Sequence, residues 1–350
     1  MATPFAQSLS IAPVRLELRY LRPIELATLA ASAPDQMLGG ALLSRHAAPK
    51  SLPPDLPLAH VRVAPLAPHE EAVECWLSDG IHRRVTVGPA RCAWNDELLF
   101  GAVDPARIAR SPGASLARIT HATYDALFAA LAHAGSPHLL RVWNYMPAIN
   151  RAAGEPEGLE RYRQFNIGRA DAYLAHGVHH EEGAPAASAL GTSGGDLTVY
   201  FLAARRAPRA VENPRQVSAY RYPPIYGPRS PSFSRAALFE LDGRPHLFIS
   251  GTASIVGDAT VHLGDVEAQT RETFANLQAV VDATNEALAA PRFVLDDLSF
   301  KAYIRRAADL PRVEHAVAEL FGAHVQIRYV QADICRADLL VEIEAFGAAA

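Results

Sequence analysis

Apolar residues recur along the chain with two different periods, and the switches between them mark out the elements. In SLARITHATYDALFAALAHAG (115–135), Leu116, Ile119, Tyr124, Leu127, Phe128 and Leu131 stand on one helical face, and Gly135 supplies a stop. LERYRQFNIGRADAYLAHG (159–177), DVEAQTRETFANLQAVVDATNEAL (265–288) and PRVEHAVAELFG (311–322) predict three further helices. Alternation or short apolar runs predict strands at AVECWLSD and GIHRRVTVG (72–88, read as a hairpin), ELLFGAVD (97–104), HLLRVWNYM (138–146) and DLTVYFLAAR (196–205). RAALFELDGRPHLFISGTASI (235–255) predicts a hairpin with Asp242-Gly243 at its turn. Strands follow at DLSFKAYIRR (297–306), HVQIRYVQADI (324–334) and LLVEIEAF (339–346).

Both halves therefore run β-β-α-β-α-β, which argues for duplication of one α+β module. The expected division is an irregular extension over 1–70, a first module over 71–218, a linker over 219–234 and a second module over 235–350. The linker is rich in proline, tyrosine and arginine, and its tyrosines imply packing against something.

The last strand breaks its own pattern. Residues two apart on a strand share a face, so Leu340, Glu342, Glu344 and Phe346 are expected to point one way and Val341, Ile343 and Ala345 the other. Two carboxylates thus lie where the neighbours place leucine and phenylalanine.

Composition narrows the function classes. The 350 residues are 49% hydrophobic and 20% charged, enough for a sizeable core and ordinary for a soluble protein. A net charge of −4 without Lys/Arg runs gives no footprint for nucleic acid or an anionic membrane. Three cysteines (Cys75, Cys92, Cys335) without CxxC spacing fit a reduced, cytoplasmic protein. The start, MATPFAQSLSIAP, lacks a secretory pattern, and no run of about 18 apolar residues occurs. The GTSGG run (191–195) offers backbone N–H groups to an anion, or simply a tight strand entry; no P-loop lysine follows it. HGVHHEE (176–182) is ligand-rich but sits after a helix end, where a solvated loop is expected rather than a metal site.

The second half resembles the YjgF/RidA family through FISGTASI, DVEAQTRETFANLQAVV, SFKAYIRR, PRVEHAVAELF and VEIEAF. That family's cleft glutamate matches Glu342, and its site arginine falls near Arg328. The whole chain looks more closely like the chorismatases, which pair two such modules. The likeness rests on RVWNYMPAIN, RYRQFNIGRADAYLAHG, GTSGGDLTVYFLAA, ENPRQVSAYRYPPIYGPRSPSFSRA, SGTASIVG and QADICRADLLVEIEA, spanning about 140–345. It implies tandem YjgF/RidA-like (chorismate mutase-like) modules, with mixed β-sheets packed by helices on one face. It further implies a chorismate-cleaving enzyme with no cofactor and no metal. Gly251 and Cys335 match the branch that releases 3-hydroxybenzoate with pyruvate. A hydrolytic branch forming a non-aromatic diol, a mixed 3-/4-hydroxybenzoate branch and a YjgF-type imine deaminase or metabolite-binding protein are the alternatives. YjgF modules form three-fold assemblies, so both monomer and homotrimer are open for a chain with two modules.

Cleaving an enolpyruvyl ether begins with protonation of its methylene carbon, a general-acid task. An ordinary carboxyl is ionised at neutral pH. Burial beside Glu344 would raise the pKa of Glu342, which is the expected acid. Gly251 would make room for a shifted ring, and Cys335 would contact it. The two substrate carboxylates call for arginine forks and hydroxyl donors; Arg163, Arg221, Tyr145 and Tyr220 are the candidates.

Overall fold

A computed structural model of the chain describes residues 15–49, 52–80, 83–108, 113–152, 158–178, 183–322 and 324–349. The N-terminal part forms β1 (Leu16–Leu21), α1 (Pro23–Ser32), β2 (Met37–Leu43), β3 (Leu58–Val61), β4 (Ala64–Pro65) and β5 (Ala72–Ser78). Next come β6 (Arg83–Val87), β7 (Ala90–Trp94), β8 (Leu98–Val103), α2 (Leu116–Ala134), β9 (His138–Pro147), α3 (Arg161–Ala175), β10 (Ala186–Thr192) and β11 (Thr198–Ala204). The second half holds β12 (Arg209–Val211), β13 (Ala236–Leu241), β14 (Arg244–Ala253), the short pair β15 (Ile255–Val256) and β16 (Ala259–Thr260), and α4 (Val266–Leu288). It ends with β17 (Ser299–Ile304), α5 (Leu310–Phe321), β18 (Gln326–Gln331), β19 (Asp333–Ile334) and β20 (Val341–Ala348).

Two seven-stranded sheets carry the duplication. Their orders are β19-β10-β9-β11-β8-β7-β6 and β12-β13-β14-β20-β17-β18-β4. Read from opposite ends, β10-β9-β11-β8-β7 and β18-β17-β20-β14-β13 are the same motif: one parallel pair joined through a helix, then antiparallel neighbours. Each motif borrows an edge strand from elsewhere, β19 for the first sheet and β4 for the second. One face of each sheet is covered by its own helices, α2 and α3 for the first and α4 and α5 for the second. The other faces meet in a shared core containing Trp143, Tyr200, Phe248 and Phe346.

Local chemistry explains the elements that match expectation. Helix α2 starts where the Ser115 hydroxyl accepts the Arg118 N–H and ends at Gly135, whose φ of 66° is left-handed. Asp242 and Gly243 both take positive φ, the two-residue turn that a right-handed hairpin twist favours.

Two expectations are corrected. The first 70 residues are not irregular throughout, since β1, β2 and β3 join β5 in a four-stranded sheet ordered β1-β5-β2-β3. Residues 72–88 are not a hairpin: β5 sits inside that sheet, while β6 pairs with β7. The reason lies in burial on both faces of β5. Val73, Cys75 and Leu77 pack with Leu26 of α1, and Trp76 enters the shared core. A strand apolar on both sides needs two flanking strands and two covering layers. Strands β7 (ARCAW) and β10 (AASALGT) escaped prediction because alanine-rich segments carry little β-propensity, and their pairing is set by neighbours.

Candidate active site

Strand β20 lies between β14 and β17, which exposes its faces only to the two layers above and below. Glu342, Glu344 and Phe346 point at the first sheet, and Val341, Ile343 and Ala345 pack under α4. Leu340 departs from the expected face. It precedes the strand, donates its N–H to Gln269 Oε1 at 2.7 Å and packs with the helix-side core. The two-residue period governs only residues within the strand.

Glu342 stands at the inner end of a cavity of about 400 Å³. The cavity opens between the start of α3, the segment 222–235, β14, the loop 335–338 and β20. Only 3% of Glu342 is exposed. The Cys335 thiol donates to its Oε2 across 3.9 Å. Burial, and then the charge of Glu344, push the Glu342 carboxyl up to about 8, against weaker pulls from Arg141, Cys335 and Arg235. Burial and the neighbouring Glu342 raise the Cys335 thiol as well, so it remains a donor at neutral pH.

Gly251 determines where that carboxyl sits. The pairing of β14 with β20 slips between Ile249 and Thr252, and Gly251 lies in the irregularity. A Cβ there would stand 2.0 Å from Glu342 Oε1 and 3.0 Å from Ser188 Cβ. The carboxyl of Glu342 fills the space that a side chain at 251 would need.

Glu344 is held differently. It accepts from Arg141 Nη2 (2.8 Å), Trp143 Nε1 (2.8 Å), Tyr303 OH (3.0 Å) and Ser188 Oγ (3.1 Å), and pairs with Lys301 Nζ at 2.8 Å. Burial alone would raise its pKa, but Lys301 and Arg141 outweigh burial and hold it down at about 2. Two carboxyls one strand-repeat apart are therefore driven in opposite directions by their surroundings.

Three arginines also line the cavity, together with the carboxylates Glu160 and Asp338. Arg235 is buried; its Nη2 donates to the Val217 carbonyl (2.8 Å) and to Tyr222 OH (2.9 Å), leaving Nε unpartnered. Arg336 donates from Nη1 to the Asp258 carbonyl (2.7 Å) and lies over the Tyr226 ring at 4.1 Å, with Nη2 unpartnered. Arg163 pairs with Glu160 at 3.5 Å at the rim. A recess of about 30 Å³ continues past Glu342, Gly251 and Cys335 to Ser188 and Arg169.

Of the residues expected from sequence, Glu342, Cys335, Gly251 and Arg163 line this cavity. Tyr145 does not; it is buried between the sheets with its OH 2.6 Å from Tyr303 OH, because β9 turns it toward the shared core. Tyr220 and Arg221 also lie outside the lining. Their short turn buries Ala219 and leaves Arg221 exposed beside the Tyr220 ring. Arg328 packs over Tyr20 and donates to the Glu70 carbonyl, away from the cavity. In the GTSGG run, the Ser193 N–H and hydroxyl both donate to the Arg62 carbonyl, and the run borders a separate cavity. His179, His180, Glu181 and Glu182 of the HGVHHEE string lie outside the described residues, and His176 pairs with Asp125 at 3.0 Å. Among the described residues, no three His, Cys, Asp or Glu side chains are grouped to hold a metal ion. Among them, too, no helix is long and apolar enough to cross a membrane.

Sequence reasoning missed Arg235, Arg336, Tyr222 and Tyr226. All four fall in or beside segments already singled out, but which side of an irregular loop faces inward has no periodic signature.

Known proteins resemble this chain in sequence and fold. The family model for chorismatase, FkbO/Hyg5-like, N-terminal, matches residues 74–203. A chorismatase of Streptomyces rapamycinicus is 38% identical over 79% of this chain and 82% of its own length. A 3-hydroxybenzoate synthase of Streptomyces hygroscopicus is 36% identical over 81% of this chain and 82% of its own. The crystal structure of a chorismatase superposes with a TM-score of 0.84 at 32% identity, covering 96% of this chain and 99% of that one. The chain belongs to the chorismatase family.

Proposed function

We propose that the chain cleaves chorismate to 3-hydroxybenzoate and pyruvate, with Glu342 as general acid. The observation that carries the reading is a buried carboxyl, its pKa raised to about 8, in a cavity that is also lined by Arg163, Arg235 and Arg336. Chorismate brings two carboxylates and an enolpyruvyl ether. The unpartnered N–H groups of Arg235 and Arg336 suit the carboxylates, since a buried guanidinium left short of acceptors gains most from one. Aromatic rings of Tyr222, Tyr226 and Phe233 supply flat apolar walls for the substrate ring.

Glu342 gives its proton to the methylene carbon, forming the methyl C–H bond and weakening the ether. The C3–O ether bond then breaks, its electron pair becoming the carbonyl of pyruvate, while the C4 hydroxyl oxygen in place of water bonds to C3 and gives up its proton. The C4–O bond breaks next, the oxygen staying on C3 and taking back a proton. Loss of one ring C–H proton and one ring C–O bond leaves the arene, and the proton count at Glu342 is restored. The atoms of 3-hydroxybenzoate and pyruvate sum to those of chorismate, so no water is consumed. Exclusion of water therefore favours this product over the diol. Gly251 and Cys335, which match the aromatising branch, stand against the acid itself and bear on how closely the ring approaches it.

Incubation of purified protein with chorismate, followed by chromatography, tests the reading. The expected products are 3-hydroxybenzoate and pyruvate in equal amounts. Absence of pyruvate removes the activity, and pyruvate with a dienoic diol removes the proposed product.

A further inference from the structure

How tightly Glu342 holds its proton depends on how far the cations near it are balanced by other anions. The charged and titratable groups facing it are Glu344 on its own strand, Tyr303 opposite it on β17, and Arg141 on β9. Tyr162 and Arg169 face it from α3, Cys335 and Arg336 from the loop before β20, and Arg235 from the segment before β13. Arg141 is the deepest of the cations; its Nη2 donates to Glu344 and Ser188, and its Nη1 has no hydrogen-bond partner. Arg235 is tied to the Val217 carbonyl and Tyr222.

A second layer holds Glu344 in place. Lys301, fully buried on β17, lies between Glu344 and Glu74, and its amine donates to both carboxylates. Glu74 is 1% exposed and belongs to β5 of the four-stranded N-terminal sheet, not to either seven-stranded sheet. It also accepts from Trp76 Nε1 at 3.2 Å and Tyr200 OH at 3.3 Å. Two carboxylates, one ammonium and one guanidinium make a buried group of zero net charge. Its members come from three sheets.

We propose that Glu74 and Lys301 are positioning residues that fix the charge balance around Glu344 and so set, in opposite directions, how tightly Glu342 holds its proton. The inference rests on Glu342 being the acid, and it assigns to the N-terminal sheet a part in the chemistry. Without the charge of Glu74 the buried group carries one excess positive charge, and ionised Glu342 is the nearest anion to offset it. Without Lys301 the excess is negative, and Glu342 holds its proton more tightly. Glu342 and Glu344 lie one strand repeat apart, roughly 7 Å, and Lys301 bridges Glu344 to Glu74, which puts the charge of Glu74 on the order of 10 Å from Glu342. A unit charge at roughly 10 Å and an effective dielectric of about 20 moves a pKa by about one unit.

The test compares Glu74→Gln and Lys301→Met with the unaltered protein in two readouts. In pH profiles of kcat, the alkaline limb should move down by about one unit in E74Q and up in K301M. The infrared band of the protonated carboxyl, assigned by its loss in Glu342→Gln, should titrate with the same displacements. Opposite displacements in the two variants support the proposal. Equal loss of activity at every pH, with the carboxyl titration unmoved, would show a packing role only and overturn it. If the unaltered protein releases no pyruvate from chorismate, the activity reading fails separately, and the infrared titration still decides the charge balance. A variant that does not fold is replaced by the shorter, polar Lys301→Gln or by Glu74→Asp, which keeps the charge and should leave the limb in place.

Discussion

Replacing Gly251 with alanine should displace the acid rather than merely narrow the cavity. The new Cβ would stand 2.0 Å from Glu342 Oε1 and 2.8 Å from its Cδ, whereas comfortable contact needs roughly 3.5 Å. The carboxyl has to retreat by more than about 1 Å. The backbone of residue 251 is outside the left-handed region, so alanine brings no φ strain. Overpacking against Ser188 should cost about 1–3 kcal/mol of stability, within reach of a folded variant. A catalytic group misplaced by about 1 Å loses about 10²-fold in rate, equivalent to about 2.7 kcal/mol of barrier. Pyruvate release coupled to lactate dehydrogenase should therefore show kcat down about 100-fold with KM little changed. The direction of retreat adds a second expectation. Cys335 Sγ lies 3.9 Å from the other carboxyl oxygen, so Cys335→Ala opens space on that side. The double variant G251A/C335A should recover part of the lost rate, a coupling between touching residues rather than a sum, with product moved toward the diol. A folded G251A enzyme with unaltered kcat and product ratio would refute the argument.

Three further outcomes are expected. Turnover should depend on a protonated Glu342, so kcat is full well below pH 8 and falls as the pH rises through about 8; a profile flat to pH 10 would remove the acid role. Glu342→Gln should abolish turnover yet raise the melting temperature increasingly as the pH climbs from 5 to 9. The reason is that the native carboxyl, raised above its unfolded value near 4.5, makes its ionised form a cost in that window. Glu344 works with the opposite sign: its stabilisation is present above the unfolded carboxyl pKa and is lost as the pH falls toward about 2, so Glu344→Gln should lower stability most at neutral pH.

Much of this protein is written locally. The periods of 3.6 and 2, the Ser115 and Gly135 boundaries of α2 and the Asp242-Gly243 turn all arise from residues within a few positions of one another. So does the sense that Glu342 and Glu344 are out of place on an apolar strand, because alternation needs no distant partner. Tertiary structure alone decided how those two carboxyls differ. Lys301, Arg141 and Trp143 reach Glu344 from two sheets, while Glu342 meets a glycine, a thiol and the cavity. It likewise decided that β5 leaves its apparent hairpin partner for a sheet with β1 and β2, and that Arg235 and Arg336 turn inward where Arg221 turns out. Electrostatic environment and loop direction are properties of neighbours distant in sequence. They come into existence only when the two modules and the N-terminal sheet close on one another.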